Sequence, residues 1–350
     1  MNKNPRLSIR IFLCLMWVMF IFSLLYIPKF NTSKSESTLN VFTWGDIFTE
    51  ELIHDFEKET GIKVHLNFYD SNEELLVKLK SMRGKGHDLI IPSDYAVKIL
   101  IEEEMIQPLE KSKLDFLSTL EPSLLGHDYD PKNTYTLPLQ WDVYGLSYDG
   151  EYFDTTLSWK QVFEDQPYTV AMTNDAIEAF NIASFYLHGN QNDLSDDQVQ
   201  ATRALMKKQK KRVEAYANYR AGYLIATKNC PLAVTSSSFH YRMAKDFPFI
   251  RFAIPKEGSF ITVENIAIPT HAQNKAAAYH FLNYIYRPDV MTKRSCDVTT
   301  FPAIQGHLPD INDEYLKNHA EALKRFNELH FYRILIPEQA LREIWVDVKS

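Results

Sequence analysis

Three observations predict an α/β protein of two lobes, joined by hinge strands around a ligand cleft. Residues 39–109 alternate β, α, β, α, β, α with clear punctuation. Two extended segments, one running from Tyr135 through TLPLQWDVYGLSYD and one over residues 260–268, flank a block at 160–261 with its own mixed pattern. A chain of 350 residues is also long enough for two lobes, each with its own core. The expected division is 38–140 plus 264–308 for lobe 1 and 141–263 plus 309–350 for lobe 2.

Residues 1–10 carry Lys3, Arg6 and Arg10 and no acid, and only Ser23 interrupts the apolar run IFLCLMWVMFIFSLLYI at 11–27. As a helix this run spans about 25 Å, slightly short of a hydrocarbon core of about 30 Å. The basic flank keeps the N-terminus inside and sends the rest of the chain out. The following YIPKFNTSKSES has no A-x-A-like cleavage site, so residues 1–33 read either as a signal peptide or as an N-terminal membrane anchor. Cys14 lies inside the apolar run, which argues against a lipoprotein cysteine.

Residues 39–43 read as a buried strand. Thr49 is placed to cap a helix whose stripe is Leu52, Ile53 and Phe56, and Gly61 ends it. Over 63–69, Val64, Leu66 and Phe68 alternate with Lys63, His65 and Asn67, the period of a half-buried strand. Ser71 and Glu74 have capping-box spacing before a helix through Leu75, Leu76, Leu79 and Met82. Residues 88–91 form a third strand, ended by Pro92 and followed at once by a helix. Doubly wound sheets of this kind bind ligands at the carboxyl ends of their strands, where Trp44, Ser93 and Tyr95 fall.

Further along, 174–187 reads as a helix, 198–219 as one long charged helix and 231–235 as a short strand. Asn274 opens a helix with Ala278, Phe281, Leu282 and Ile285 on one face, stopped by Pro288.

Without residues 1–33, which hold four bases and no acids, the chain has 34 basic and 45 acidic side chains, a formal charge of −11. That balance favours cationic ligands and disfavours nucleic acid. KKQKKR at 207–212, without interleaved aromatics, reads as a solvated helix face. Cys230 and Cys296 lack framework spacing, and their pairing stays open. No GxSxG, GxxxxGK[ST], HExxH or GxGxxG occurs, and the Gly84–Gly86 pair precedes a strand, so neither an enzyme nor a resident cofactor or metal is expected.

FTWGDIF, FEKETGIKV, the SNE of YDSNEE, DLIIPSDYAV, EEEMIQPLEKSKL, TNDAIE, IPKEG and NKAAAYHFLNYIYRPDV occur in this order. The series resembles the spermidine/putrescine-binding proteins, the extracellular solute-binding subunits of polyamine ABC transporters. It covers about residues 39 to 303, with the C-terminal stretch aligning poorly. The resemblance implies a periplasmic-binding-protein-like fold located in the periplasm or on the outer face of the cytoplasmic membrane. It also implies a polyamine or related cation as ligand, an ABC permease as partner and a monomeric state.

Residue by residue, the resemblance implies that Trp44 lines the amine cleft. Ser93 and Tyr95 are the hydroxyl and aromatic of the PS-x-Y turn. Asp175 and Glu178 are the second-lobe acids that hold ammonium groups, and Glu264 stands where the family has Asp. Ile47 and Phe301 occupy family Tyr positions, Thr235 and Thr262 family Trp positions, and Gly45 replaces a common Thr. These four, Ile47, Thr235, Thr262 and Phe301, are expected to line the pocket.

A polyamine needs carboxylates at its ends and aromatic faces along its methylenes. Each cation–π contact contributes about 0.5–2 kcal/mol, so two missing Trp residues thin the box while the charges remain. Local roles compete at each position. Trp44 and Tyr95 could pack in the core, Ser93 could cap a helix, and Asp175 with Glu178 could serve a helix dipole. Glu264, in the apolar VENIAIP, needs a partner, which is either a ligand ammonium or a neighbouring Arg or Lys. Another small organic cation, or a membrane-tethered sensor without a transport role, are the alternative functions.

Overall fold

The computed structural model describes residues 15–21, 38–154 and 156–350. Of the N-terminal apolar run, residues 15–21 are helical and exposed, and the rest of the expected signal peptide or anchor lies outside the described residues. Among the described residues no helix is long and apolar enough to cross a membrane.

The first lobe starts from β1 (Thr38–Thr43), β2 (Lys63–Phe68) and β3 (Leu89–Ile90), all parallel, with helices Glu50–Thr60 and Asn72–Met82 between them. The caps follow from the residues at the helix ends. Thr49 accepts from the backbone N–H of Leu52 at 3.3 Å, and Gly61 closes the first helix at φ 71°, a conformation that costs a side chain and not glycine. Ser71 caps Glu74 at 3.1 Å, but the Glu74 carboxylate accepts from the N–H of Asp70, so only half of the expected capping box forms.

β4 (Thr136–Asp149) is the long crossing. It pairs antiparallel with β9 (Ser259–Ala267) from Thr136 to Val143, and from Tyr144 onward with β7 (Leu232–Ser236) and β8 (Ile250–Ala253). β5 (Val170–Met172) lies between β7 and β6 (Val213–Tyr216), parallel to both. Short β10 (Phe301–Pro302) and β11 (Leu329–Phe331) join β4 and β9. The main path runs β2-β1-β3-β9-β4-β7-β5-β6, so the crossings are the middle of one sheet.

The single helix expected over 198–219 is corrected. Helix Asp196–Lys210 stops, Val213–Tyr216 becomes a strand, and Ala221–Ala226 is a separate helix. Pairing with β5 satisfies a row of backbone groups that helix propensity alone cannot weigh. In KKQKKR, Lys207 shares Asp347 with Arg203 one turn earlier, Lys208 meets Asp165, and Arg212 donates to the carbonyls of Tyr168, Gln161 and Glu164. Pro288 does more than stop a helix, because it opens Pro288–Val298 at its first position.

Leu39, Val41, Leu89 and Ile91 pack against Phe56, Phe281 and Ile285 in one core. Val170, Leu232, Val234, Phe180 and Trp159 build a second, which Leu341, Ile344 and Val348 of the C-terminal helix join. A third cluster, of Trp141, Val143, Tyr241, Ile261, Phe301 and Tyr315, sits on the crossing strands. Cys230 is buried, Cys296 is half-buried, and both are free thiols.

Gly258 leads into β9 at φ 99°, and an added Cβ would stand 2.3 Å from the Glu328 carbonyl oxygen. Gly258→Ala is therefore expected to destabilise the fold by about 2–3 kcal/mol through backbone strain and the clash. The midpoint of chemical denaturation measures it, and an unshifted midpoint contradicts the argument.

Candidate functional site

Four strand ends converge on one cleft. Trp44 follows β1, Ser93 and Tyr95 follow β3, Asp175 and Glu178 follow β5, and Ser236 ends β7. The crossing strands form the back wall. At Pro138, which has no N–H to donate, β4 slips against β9, and beyond the slip Gln140 stands opposite Glu264. A bridge between Ser93 and Glu264 ties the β3 turn to the same point. The cavity measures about 240 Å³.

Glu264 is half-buried, with one neutral donor on each oxygen. Ser93 Oγ donates to Oε1 at 2.8 Å, and Trp44 Nε1 donates to Oε2 at 2.8 Å. Among the described residues no Arg or Lys is bonded to this carboxylate. Its pKa is pushed up to about 8, by desolvation first and then by Asp94 and Asp142, against the two hydrogen bonds. Ser93 occupies the N-cap position of helix Asp94–Glu102, but its side chain caps nothing. The hydroxyl is spent on Glu264.

Asp175 is the N-cap of helix Ala176–His188 and accepts from the Glu178 N–H at 3.0 Å. Glu178 accepts from the hydroxyls of Tyr144 and Thr173, and desolvation followed by the Asp175 charge raises its pKa to about 8. The helix-end role and a place on the cleft wall coexist here. Trp44 packs on Tyr69 with ring centroids 4.6 Å apart, and half-buried Tyr95 lines the cleft beside Asn72 and Glu73.

All six expected ligand residues, Trp44, Ser93, Tyr95, Asp175, Glu178 and Glu264, lie on this wall, as do Ile47 and Thr262. Thr235 and Phe301 do not, and both are corrected for the same reason. Successive side chains of a strand face opposite sides, so Ser236 at the end of β7 lines the cleft in place of Thr235, and Thr300, immediately before β10, lines it in place of Phe301. Thr235 is buried within β7, and Phe301 packs on Trp141 at 4.9 Å and Tyr315 at 5.0 Å.

Several lining residues escaped the sequence reading. Asp142 accepts from Ser237 Oγ and the Ser238 N–H, both at 3.0 Å, and its pKa rises to about 7, mainly through desolvation. Gln140, Asp142 and Tyr144 share the cleft-facing side of β4, a period-two signal that was available in QWDVY. Asp46, Asp70 and Glu73 also line the cleft, as do Phe239 and Tyr332, for which no local pattern existed. Arg242 donates to Asp46 Oδ2 at 3.0 Å and to the Val298 carbonyl at 3.2 Å. Among the described residues, seven carboxylates therefore face one arginine that already has an acidic partner. Such a wall attracts cations, and the aromatic faces of Trp44, Tyr95, Phe239 and Tyr332 suit their alkyl portions.

A family model described as bacterial extracellular solute-binding protein matches residues 51–321. The spermidine/putrescine-binding periplasmic protein of Escherichia coli is 32% identical over 303 residues, covering 83% of this chain and 86% of that protein. The putrescine-binding periplasmic protein PotF of the same species is 29% identical, with 82% and 83% covered. Among solved structures, the spermidine/putrescine ABC transporter substrate-binding protein PotD of Streptococcus pneumoniae superposes with a TM-score of 0.76 at 23% identity. It covers 89% of this chain and 97% of that one, a likeness of fold.

Proposed function

Because the chain belongs to the bacterial extracellular solute-binding proteins, a family of binders and not of enzymes, we propose that it captures a polyamine for an ABC importer. The observation that carries this reading is the make-up of the cleft wall among the described residues, seven carboxyl groups that a bound cation would hold in the charged form against one arginine already paired with Asp46. The names of the relatives support the same ligand class.

In this mechanism a polyamine enters the open cleft and its ammonium groups meet Asp175, Glu178 and Glu264. Trp44 and Tyr95 cover the methylenes between them. Closure turns on the crossings β4 and β9, dividing the chain into 38–140 plus 264–308 and 141–263 plus 309–350. Binding shifts the population toward the closed form, which a permease recognises. The protein acts as a monomer outside the cytoplasmic membrane, tethered by residues 11–27 where these are retained.

Calorimetric titration of the full chain in detergent with putrescine, cadaverine, spermidine and spermine tests the reading. A dissociation constant in the micromolar range or below is expected for at least one of them. Absence of heat with all four removes the polyamine assignment.

A further inference from the structure

Tyr332 follows β11, in the C-terminal part of the chain beyond the family match at 51–321. Its ring is fixed from two sides, stacked on Phe260 at 4.7 Å and 8° and edge-on to Tyr144 at 5.2 Å and 89°. The residue is 5% exposed and lines the cleft. Its hydroxyl has no hydrogen-bond partner among the described residues. Of the buried side chains left without a partner among the described residues, Tyr332 is the one on the cleft wall.

Buried hydroxyls are normally paired, and one held unpaired on a rigid ring beside a binding cleft calls for a ligand partner. Tyr144, the neighbouring phenol, is already committed to Glu178. Burial raises the Tyr332 pKa, and the charges of Glu178 and Asp175 raise it further, so the phenol stays neutral and keeps its acceptor lone pairs. A primary ammonium beside Asp175 and Glu178 has three N–H groups, one more than those two carboxylates use if each accepts one.

We propose that the Tyr332 hydroxyl accepts the remaining N–H of that ammonium and so selects for primary amine termini over fully alkylated ones. This inference rests on the polyamine reading above. A site built to bond an N–H discriminates strongly against a ligand that lacks it.

Tyr332→Phe in the full chain is the test, because it removes one oxygen that bonds nothing among the described residues and leaves the ring in place. The variant is expected to bind putrescine about tenfold more weakly, the value of one charge-assisted hydrogen bond, with no fall in Tm. Unchanged putrescine affinity overturns the inference while leaving the polyamine reading intact. A loss of affinity matched by a drop in Tm also overturns it, since the oxygen would then be structural. If the wild-type chain binds none of the polyamines, both readings fall together.

Discussion

Glu264→Gln is expected to weaken polyamine binding by roughly 100-fold while leaving the fold intact. The glutamine is isosteric. Its carbonyl can accept from Trp44 Nε1, and its amide can donate to Ser93 Oγ, so both of the donors now on the carboxylate keep a partner. What disappears is the negative charge at the back wall of the cleft. Losing one member of a desolvated charge pair costs about 2–5 kcal/mol, and about 2.7 kcal/mol is a factor of 100. Glu178→Gln should behave similarly, since Tyr144 and Thr173 can re-orient around an amide. The Tm of the empty protein should not fall, because a carboxyl with its pKa near 8 is largely protonated at neutral pH and contributes no ion pair to lose. Titration with the best-binding polyamine measures the effect. Wild-type affinity in both variants would show that these acids do not hold the ligand.

The second large effect is pH dependence, and its direction is opposite to that of a surface carboxylate. Glu264 and Glu178 have their pKa raised from 4.5 to about 8 in the folded, empty protein. Between those values the folded state holds protons that the unfolded state has released. Stability of the empty protein therefore falls as pH rises through that window. Glu264 is faced by Asp94 and Asp142, both raised to about 7, with the Arg294 guanidinium behind it. Glu178 is faced by Asp175, Tyr144 and Tyr332. The Asp175 carboxyl, itself raised by desolvation, adds to the upward shift of Glu178.

A bound ammonium favours the charged carboxylates and expels their protons. Affinity is thus expected to rise from about pH 6 to about pH 8, by up to about tenfold per pH unit for each proton released. It should level off above pH 8, where the carboxyls are already charged. Titrations across this range, in two buffers of different ionisation enthalpy, count the protons directly. Affinity that is flat with pH, with heats that do not depend on buffer, would mean that the acids are charged before the ligand arrives.

Much of the molecule was readable from local signals. Thr49, Gly61 and Asp175 sit at helix ends because capping depends on a few neighbouring residues. The alternation of apolar side chains placed the strands, and motifs in order marked Trp44, Ser93, Tyr95, Asp175, Glu178 and Glu264. The reading failed where a distant segment decides. Residues 213–216 became a strand because β5 offered an edge, and no property of the charged segment itself announced that.

The chain alone thus determined the order of elements, the acidic balance and which acids stand near strand ends, because period, caps and charge are properties of short stretches. Only the tertiary structure decided what those acids meet. Trp44 reaches Glu264 across 220 positions, and Ser93 reaches it across 171. The same assembly put Ser236 on the wall in place of Thr235, since which face of β7 meets the cleft depends on sheet pairing and not on residue type. It also brought Tyr332 beside Asp175 and Glu178 with its hydroxyl unpaired. A cleft built from strand ends far apart in the chain exists only once the sheet has closed around it.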